Sequence, residues 1–130
     1  MAAHNEYGAW GEKVAAQYLR HKGYSILDRD WHYGHKDIDI VAYEDDTETL
    51  VIVEVKARRT EEVTTAIQAV TKQKEANMIS AAFAFARSTE HFFPKIRFDI
   101  ITIVGSCNNY KLEHYPDIIH PGRQGGRRLF

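Results

Sequence analysis

A single cysteine, Cys107, in 130 residues excludes an intramolecular disulfide and leaves no second thiol for a CxxC zinc or redox site. A reducing, cytosolic setting is therefore the expectation. Long apolar runs are also missing: the longest uncharged stretches, residues 76–86 and 100–110, fall well short of the roughly 20 residues that span a bilayer. Near the N-terminus, Glu6, Glu12 and Lys13 stand where a secretory signal would need an unbroken apolar segment. Neither export by that route nor a membrane span is expected. Charge of one sign is lacking too. Seventeen Lys plus Arg oppose eighteen Asp plus Glu, for a net charge of −1, so the chain is no globally basic nucleic-acid binder. Any contact of that kind must come from a local patch.

What is present is an ordinary globular mixture, 44% hydrophobic and 27% charged, which argues against global disorder, a fibrous repeat or a disulfide scaffold. The length suits one domain with a real core and is too short for two of ordinary size. No internal repeat is visible. Residues 1–120 read as the domain, and residues 121–130, with Pro121, Gly122, Arg123, Arg127 and Arg128, as a flexible basic tail.

Over residues 5–22 the larger apolar side chains Tyr7, Trp10, Val14, Tyr18 and Leu19 form one helical stripe, and Gly23 supplies the stop. Residues 24–31 suggest a short strand, followed by an aromatic and histidine-rich loop around Tyr33, Gly34 and His35. Residues 37–43 alternate polar and apolar as Asp37-Ile38-Asp39-Ile40, residues 50–56 do so at their end as Val53-Glu54-Val55-Lys56, and the two are joined by the polar turn Glu44-Asp45-Asp46-Thr47-Glu48. So short a link makes them an antiparallel hairpin, because a parallel return needs a longer crossover. After an N-cap at Thr64 or Thr65, the Gly-free and Pro-free stretch to Arg87 reads as one long helix whose apolar half, residues 76–86, should be buried. Residues 96–104 and 110–115 complete the strands. The order α-β-β-β-α-β-β predicts an α/β domain, a mixed β-sheet flanked by helices.

The chemistry gathers on the hairpin. Period two places Asp37 and Asp39 on one strand face and Glu54 with Lys56 on one face of the next. If Glu44 and Thr49 flank the turn, Asp39 lies opposite Glu54 and Asp37 opposite Lys56, with Cβ atoms about 4.5–5.5 Å apart. Opposed carboxylates repel unless a cation sits between them, and a hard divalent ion such as Mg²⁺ or Mn²⁺ takes a few carboxylates plus waters and phosphate. Lys56 could orient or help deprotonate an attacking water, or balance phosphate charge. The alternative is a solvated sheet face with Lys56 in a cross-strand ion pair worth about 0.2–1 kcal/mol.

Asp39, fourteen intervening residues and Glu54-Val55-Lys56 resemble the D…ExK signature of the restriction-endonuclease-like superfamily. Gly11-Glu12, Ala15-Ala16-Gln17-Tyr18-Leu19, Gly23-Tyr24, Asp37-Ile38-Asp39-Ile40-Val41-Ala42, Val51-Ile52-Val53-Glu54-Val55-Lys56, Arg58, Lys74 and Arg97-Phe98-Asp99 together resemble the YraN-like family of endonuclease-related proteins. The match runs from about Gly8 to Ile103 in order. It implies a restriction-endonuclease-like fold in which Asp39 and Glu54 ligate Mg²⁺ or Mn²⁺ and Lys56 is the catalytic lysine. The fold is also similar to that of archaeal Holliday-junction resolvases, where a glutamate on the first helix completes the metal site; Glu12 occupies the matching place. Lying two positions from both Trp10 and Val14, Glu12 is off the apolar stripe and either reaches over the sheet edge or faces water. Where many family members have Gly-Glu-Ile-Asp, this chain has Lys36-Asp37-Ile38-Asp39, so Asp37 as a fourth metal candidate is one methylene shorter than glutamate.

Lys56, Arg58, Arg59, Lys72 and Lys74 would be close enough to the hairpin to grip phosphates, or they form a solvated helix end. Trp31 and Tyr33 could stack on exposed bases or pack under a loop. His32 and His35 are two ligands without a nearby cysteine, a poor zinc site. Arg97 and Asp99, two apart on one strand, suggest a structural ion pair supporting the site. Three readings follow: a metal-dependent endonuclease acting on branched or structured DNA rather than RNA, a binding module for nucleic acid or protein on the same fold, and a metal-dependent enzyme with another substrate. A homodimer is expected only if the substrate is a junction needing two symmetric cuts.

Overall fold

In the computed structural model, residues 3–60 and 72–119 are described, with side chains from Glu6 onward. They form α1 (Ala3–His21), β1 (Ser25–Tyr33), β2 (Lys36–Glu44), β3 (Thr49–Arg58), α2 (Lys72–Arg87), β4 (Lys95–Ser106) and β5 (Asn109–Tyr115). The candidate caps Thr64 and Thr65, the first part of the long helix and the basic tail lie outside the described residues. No helix among the described residues is long and apolar enough to cross a membrane.

The apolar stripe of α1 is what places it. Val14, Ala15, Ala16 and Leu19 are buried against Ile40, Ala42, Val51, Val53, Ile101 and Ile103, with Trp10 and Tyr18 at the margin. The helix then ends in a Schellman motif: Gly23 has φ 99°, its N–H donates to Arg20 O at 3.0 Å, and the Tyr24 N–H donates to Leu19 O at 3.0 Å. That stop returns the chain into β1. On the other face of the sheet, Met78, Ala81, Ala82 and Phe85 of α2 cover Ile38, Val41, Leu50, Ile52 and Phe98. Burial of residues 76–86 is thus one-sided, and Phe83 remains 49% exposed, because a helix lying on a sheet can hide only the stripe that faces it.

The five strands lie in the order β1-β2-β3-β4-β5. β3 and β4 are parallel and every other neighbouring pair is antiparallel. α2 lies in the crossover that a parallel pair requires. β3 is covered on both faces, Val51 and Val53 toward α1 and Leu50 and Ile52 toward α2, which explains its nearly continuous apolar run.

The hairpin of β1 and β2 departs from the expected pattern. The strand continues through Trp31, His32 and Tyr33, and the expected loop shrinks to a turn after Tyr33↔Lys36, with Gly34 at φ 63°. A bulge between Ile26 and Asp28 leaves Leu27 44% exposed, and Asp30 adopts φ 54° between the pairs Arg29↔Ile40 and Trp31↔Ile38. Strict alternation fails there: Ile38 belongs to the α2-side core and Ile40 to the α1-side core. Asp39 sits at the point where β2 changes face.

α1 approaches β3 so closely that a Cβ on Gly11 would come within 2.8 Å of Ala57 Cβ, whereas one on Gly8 would meet nothing within 4 Å. Gly11→Ala is therefore expected to destabilise the protein by about 1–3 kcal/mol, and Ala57→Gly to recover part of that loss. Gly8→Ala should stabilise by about 0.5–1 kcal/mol through helix propensity. Urea titrations of the four proteins test this; a midpoint for Gly11→Ala at or above wild type would show that the close approach is absent.

Candidate active site

The β2 and β3 ladder follows the expected register from Glu44↔Thr49 through Ile40↔Val53. There it ends. Asp39 is not paired across the strands with Glu54, and Asp37 does not face Lys56; the Cα partner of Asp37 is His32 on β1. Beyond Ile40, β2 stays paired with β1, which carries the left-handed Asp30, and parts from β3, so the two acids are no longer ladder partners. In place of the lost ladder contact, the Val55 N–H donates to Asp39 Oδ2 at 2.8 Å. A side chain thus satisfies a backbone donor that the departing strand would otherwise leave unpaired.

This placement sets the electrostatics. Burial, followed by the negative charge of Glu54, pushes the Asp39 carboxyl up to about 7, against the opposing Val55 hydrogen bond and the charge of Lys74. Glu54 is 9% exposed, and its Oε2 is reached by Lys74 Nζ at 2.9 Å and Lys56 Nζ at 3.4 Å. Burial disfavours the charge on Lys74, yet the hydrogen bond and charge of Glu54, with Asp39 and Asp37, outweigh it and raise its pKa. On α1, Glu12 is raised by burial and by Asp30, while Arg29 opposes the rise through its charge and a 3.4 Å contact.

Two cavities adjoin these groups. The larger, about 830 Å³, is lined by Glu12, Asp30, Asp39, Lys56, Arg58 and Arg59, with Tyr7 beneath Arg59 at 4.2 Å from ring centroid to guanidinium. The smaller, about 340 Å³, is lined by His35, Lys36, Asp37, Glu54, Lys74 and Asn77. Of the residues expected at the site, Glu12, Asp39, Lys56, Arg58 and Arg59 share one cavity, and Asp37, Glu54 and Lys74 share the other. Lys72 is exposed on α2 and lines neither. Glu12 resolves toward the sheet, as one of its two expected positions required.

His32 Nε2 bonds Asp30 Oδ1 at 2.9 Å, while His35 turns to the smaller cavity. Among the described residues no three His, Cys, Asp or Glu side chains form a ready metal cage. The donors on offer are the hard carboxylate oxygens of Asp39 and Glu12 in one cavity and of Glu54 in the other. That set suits a hard ion that keeps waters and takes phosphate oxygens, and it does not suit zinc.

Arg97 and Asp99 do form an ion pair, through Nε to Oδ1 at 2.9 Å and Nη2 to Oδ2 at 2.8 Å. It does not support the site directly. Asp99 is paired with Val53, and its partners lie on the α1 side of the sheet, away from Glu54 and α2: His114 Nε2 at 2.7 Å, the Asp117 N–H at 2.9 Å and, beyond His114 Nδ1, the Tyr18 hydroxyl at 3.0 Å. Arg97 also reaches Tyr24 at 2.6 Å and Glu44 at 3.2 Å. Burial opposes ionisation of Asp99, but the hydrogen bonds from His114, Arg97 and Asp117 prevail and hold its pKa below the usual carboxylate value. Sequence reasoning missed His114, and it missed Arg29, the partner of Glu12, whose Nε is buried with no partner. Arg29 could be placed only with knowledge of the bulge at Leu27.

A carboxyl whose pKa is higher in the fold than in the unfolded chain holds its proton more tightly when folded. The contribution of Asp39 to stability is thus complete below about pH 4 and is lost as pH rises through about 7. Asp39→Asn keeps an acceptor for Val55 and removes that loss. In chelator, its Tm should match wild type near pH ~4 and exceed it by about 3–8 °C at pH ~8. Thermal melts across this interval check the expectation, and superimposable curves would mean that Asp39 carries no such strain.

The profile of the uncharacterised protein family UPF0102 matches residues 11–103, a span that runs from the second half of α1 through β1, β2, β3 and α2 to most of β4. A UPF0102 protein of Syntrophomonas wolfei is 43% identical over 109 residues, covering 84% of this chain and 93% of its own. One from Phocaeicola vulgatus is 42% identical over 122 residues, with 93% and 98% covered. One from Bacteroides thetaiotaomicron is 39% identical over 121 residues, again with 93% and 98% covered. With Glu12, Asp39, Glu54, Lys56 and Lys74 all inside the matched span, the chain belongs to family UPF0102, the YraN-like proteins.

Proposed function

We propose that the protein is a divalent-metal-dependent endonuclease that hydrolyses phosphodiester bonds in DNA. The observation that carries this reading is that Asp39 bonds the backbone of Val55, the residue after Glu54, and so stands beside Glu54 while lining a cleft with Lys56, Arg58 and Arg59. A buried glutamate and a half-buried aspartate whose ionisation its charge opposes are expensive in a protein that only needs to fold. Mg²⁺ or Mn²⁺ would favour ionised Asp39 and Glu54 and, when bound, would stabilise charge developing on a phosphate.

The side chains divide the remaining work. The Val55 N–H fixes Asp39 through Oδ2 at the edge of the cleft that Asp39 lines. Lys74 and Lys56 both hold Glu54 at Oε2. Lys56, the more deeply placed cation of the larger cleft, can donate to a phosphate oxygen or align the attacking water, whose oxygen bonds to phosphorus as one ester bond breaks. Arg58 and Arg59 supply the local positive patch that the net charge of −1 made necessary. The resemblance to junction resolvases favours branched or structured DNA, and a homodimer accompanies that substrate.

A second reading, a non-catalytic nucleic-acid or protein binding module, is favoured by one observation: Glu54 already has two lysine partners. A labelled panel of four-way junction, flap, single-stranded and duplex DNA with RNA, in Mg²⁺ or Mn²⁺, separates the two. Wild type should cut a DNA member only with metal, Glu54→Ala should not cut, and Lys56→Ala should be slower by about 10²–10⁴-fold. Binding without cutting under either metal would select the module. For Arg58→Ala and Arg59→Ala, measured by anisotropy against salt, the slope of log K on log salt should shrink by about one per arginine. An unchanged slope would remove them from the phosphate path.

A further inference from the structure

Beyond the carboxylates, the tip of the β1 and β2 hairpin carries a feature that cleavage chemistry does not use. Tyr33 is 65% exposed, the most open of the described large aromatics apart from Phe92. It lies nearly parallel to Trp31, with ring centroids 6.3 Å apart and planes at 16°. Trp31 in turn stands edge-on to Phe85 at 5.4 Å and 82° and packs with the α2-side core. The inner ring is therefore anchored, while the outer one gains little from burial and leaves apolar surface in water.

The position of Tyr33 adds a second observation. Its cross-strand partner is Lys36, and Lys36 with Asp37 lines the smaller cavity that also holds Glu54 and Lys74. Paired residues down to the turn hold the strand ends, so the ring is presented on a rigid hairpin rather than on a loose loop. The cavity of about 340 Å³ falls in the range that takes a small ligand, about 300–1,000 Å³, and His35 and Asn77 bring side-chain donors and acceptors to it.

We propose that Tyr33, backed by Trp31, is a stacking platform for one unpaired nucleobase, whose edge enters the cavity between the hairpin tip and α2 next to Glu54. An aromatic face stacks on any base and gives affinity without sequence preference. A base inside a duplex has both faces covered, so the platform selects nucleic acid whose base beside the cleavage point is already unstacked. Single-stranded flanks and the strand crossings of branched DNA offer such bases. The inference rests on the nuclease reading for its location and names the substrate feature that the same site would recognise.

The test uses oligonucleotides carrying 2-aminopurine at single positions, either in a single strand or in a fully paired duplex, with chelator present so that no cutting intervenes. Wild type should quench the single-stranded probe at one position. Tyr33→Ala should abolish that quench and bind single strands about five- to a hundredfold more weakly, with duplex binding unchanged. Tyr33→Phe, which keeps the ring, should retain both quench and affinity. Circular dichroism of Tyr33→Ala should match wild type, since the residue is on the surface. If Tyr33→Ala binds and quenches like wild type while Glu54→Ala still abolishes metal-dependent cutting, the platform is overturned and the nuclease stands. If cutting fails but the ring-dependent quench persists, the nuclease falls and the base site remains. Wild type that binds no probe overturns the platform outright.

Discussion

The hydrogen bond from the Val55 N–H to Asp39 Oδ2 bridges the place where β2 leaves β3, and the candidate site takes its form from that separation. Had the ladder continued, Asp39 and Glu54 would have met as a repelling cross-strand pair. Instead β2 stays paired with β1 beyond Ile40, and the ladder gap is closed by a carboxylate. The strand end opens on two cavities, with Asp39 bordering one and Glu54 the other.

Two aspartates, Asp99 fully buried and Asp39 half-buried, show how partners decide the fate of a charge. Asp99 is fully buried, yet an arginine, a histidine and a backbone N–H hold it ionised, so it acts as a pin joining β4, β5 and the chain after β5. Asp39 accepts one backbone hydrogen bond, and burial with the charge of Glu54 lifts its pKa to about 7. The first acid is satisfied within the protein. The second is not, since the Val55 hydrogen bond and the charge of Lys74 leave its pKa raised.

The large-scale order was legible because its signals are local. The stripe from Trp10 to Leu19, the polar turn at residues 44–48 and the apolar run of β3 each depend on neighbours a few positions away. Asp39, Glu54 and Lys56 stood out by residue type and spacing, and the first five pairs of the hairpin register could be counted from its turn. Their mutual geometry could not be. A bulge at Leu27 and a left-handed Asp30 shift alternation by one residue, and no residue type on β2 announces such an event in its neighbour. His114 and Arg29 were invisible for the same reason: each acquires its role from a partner far off in the chain.

The sequence by itself determined the order of elements, the hairpin of β2 and β3 and the residue types of its acids and lysine, because periodicity and turn chemistry act over short range. Only the tertiary structure decided that Asp39 would cap Val55, that Lys74 of α2 would reach Glu54, and that Asp99 would be held on the other side of the sheet. Those outcomes depend on how helices and strands from distant parts of the chain press on one another, and a single residue's shift in register redirects a side chain to the opposite face.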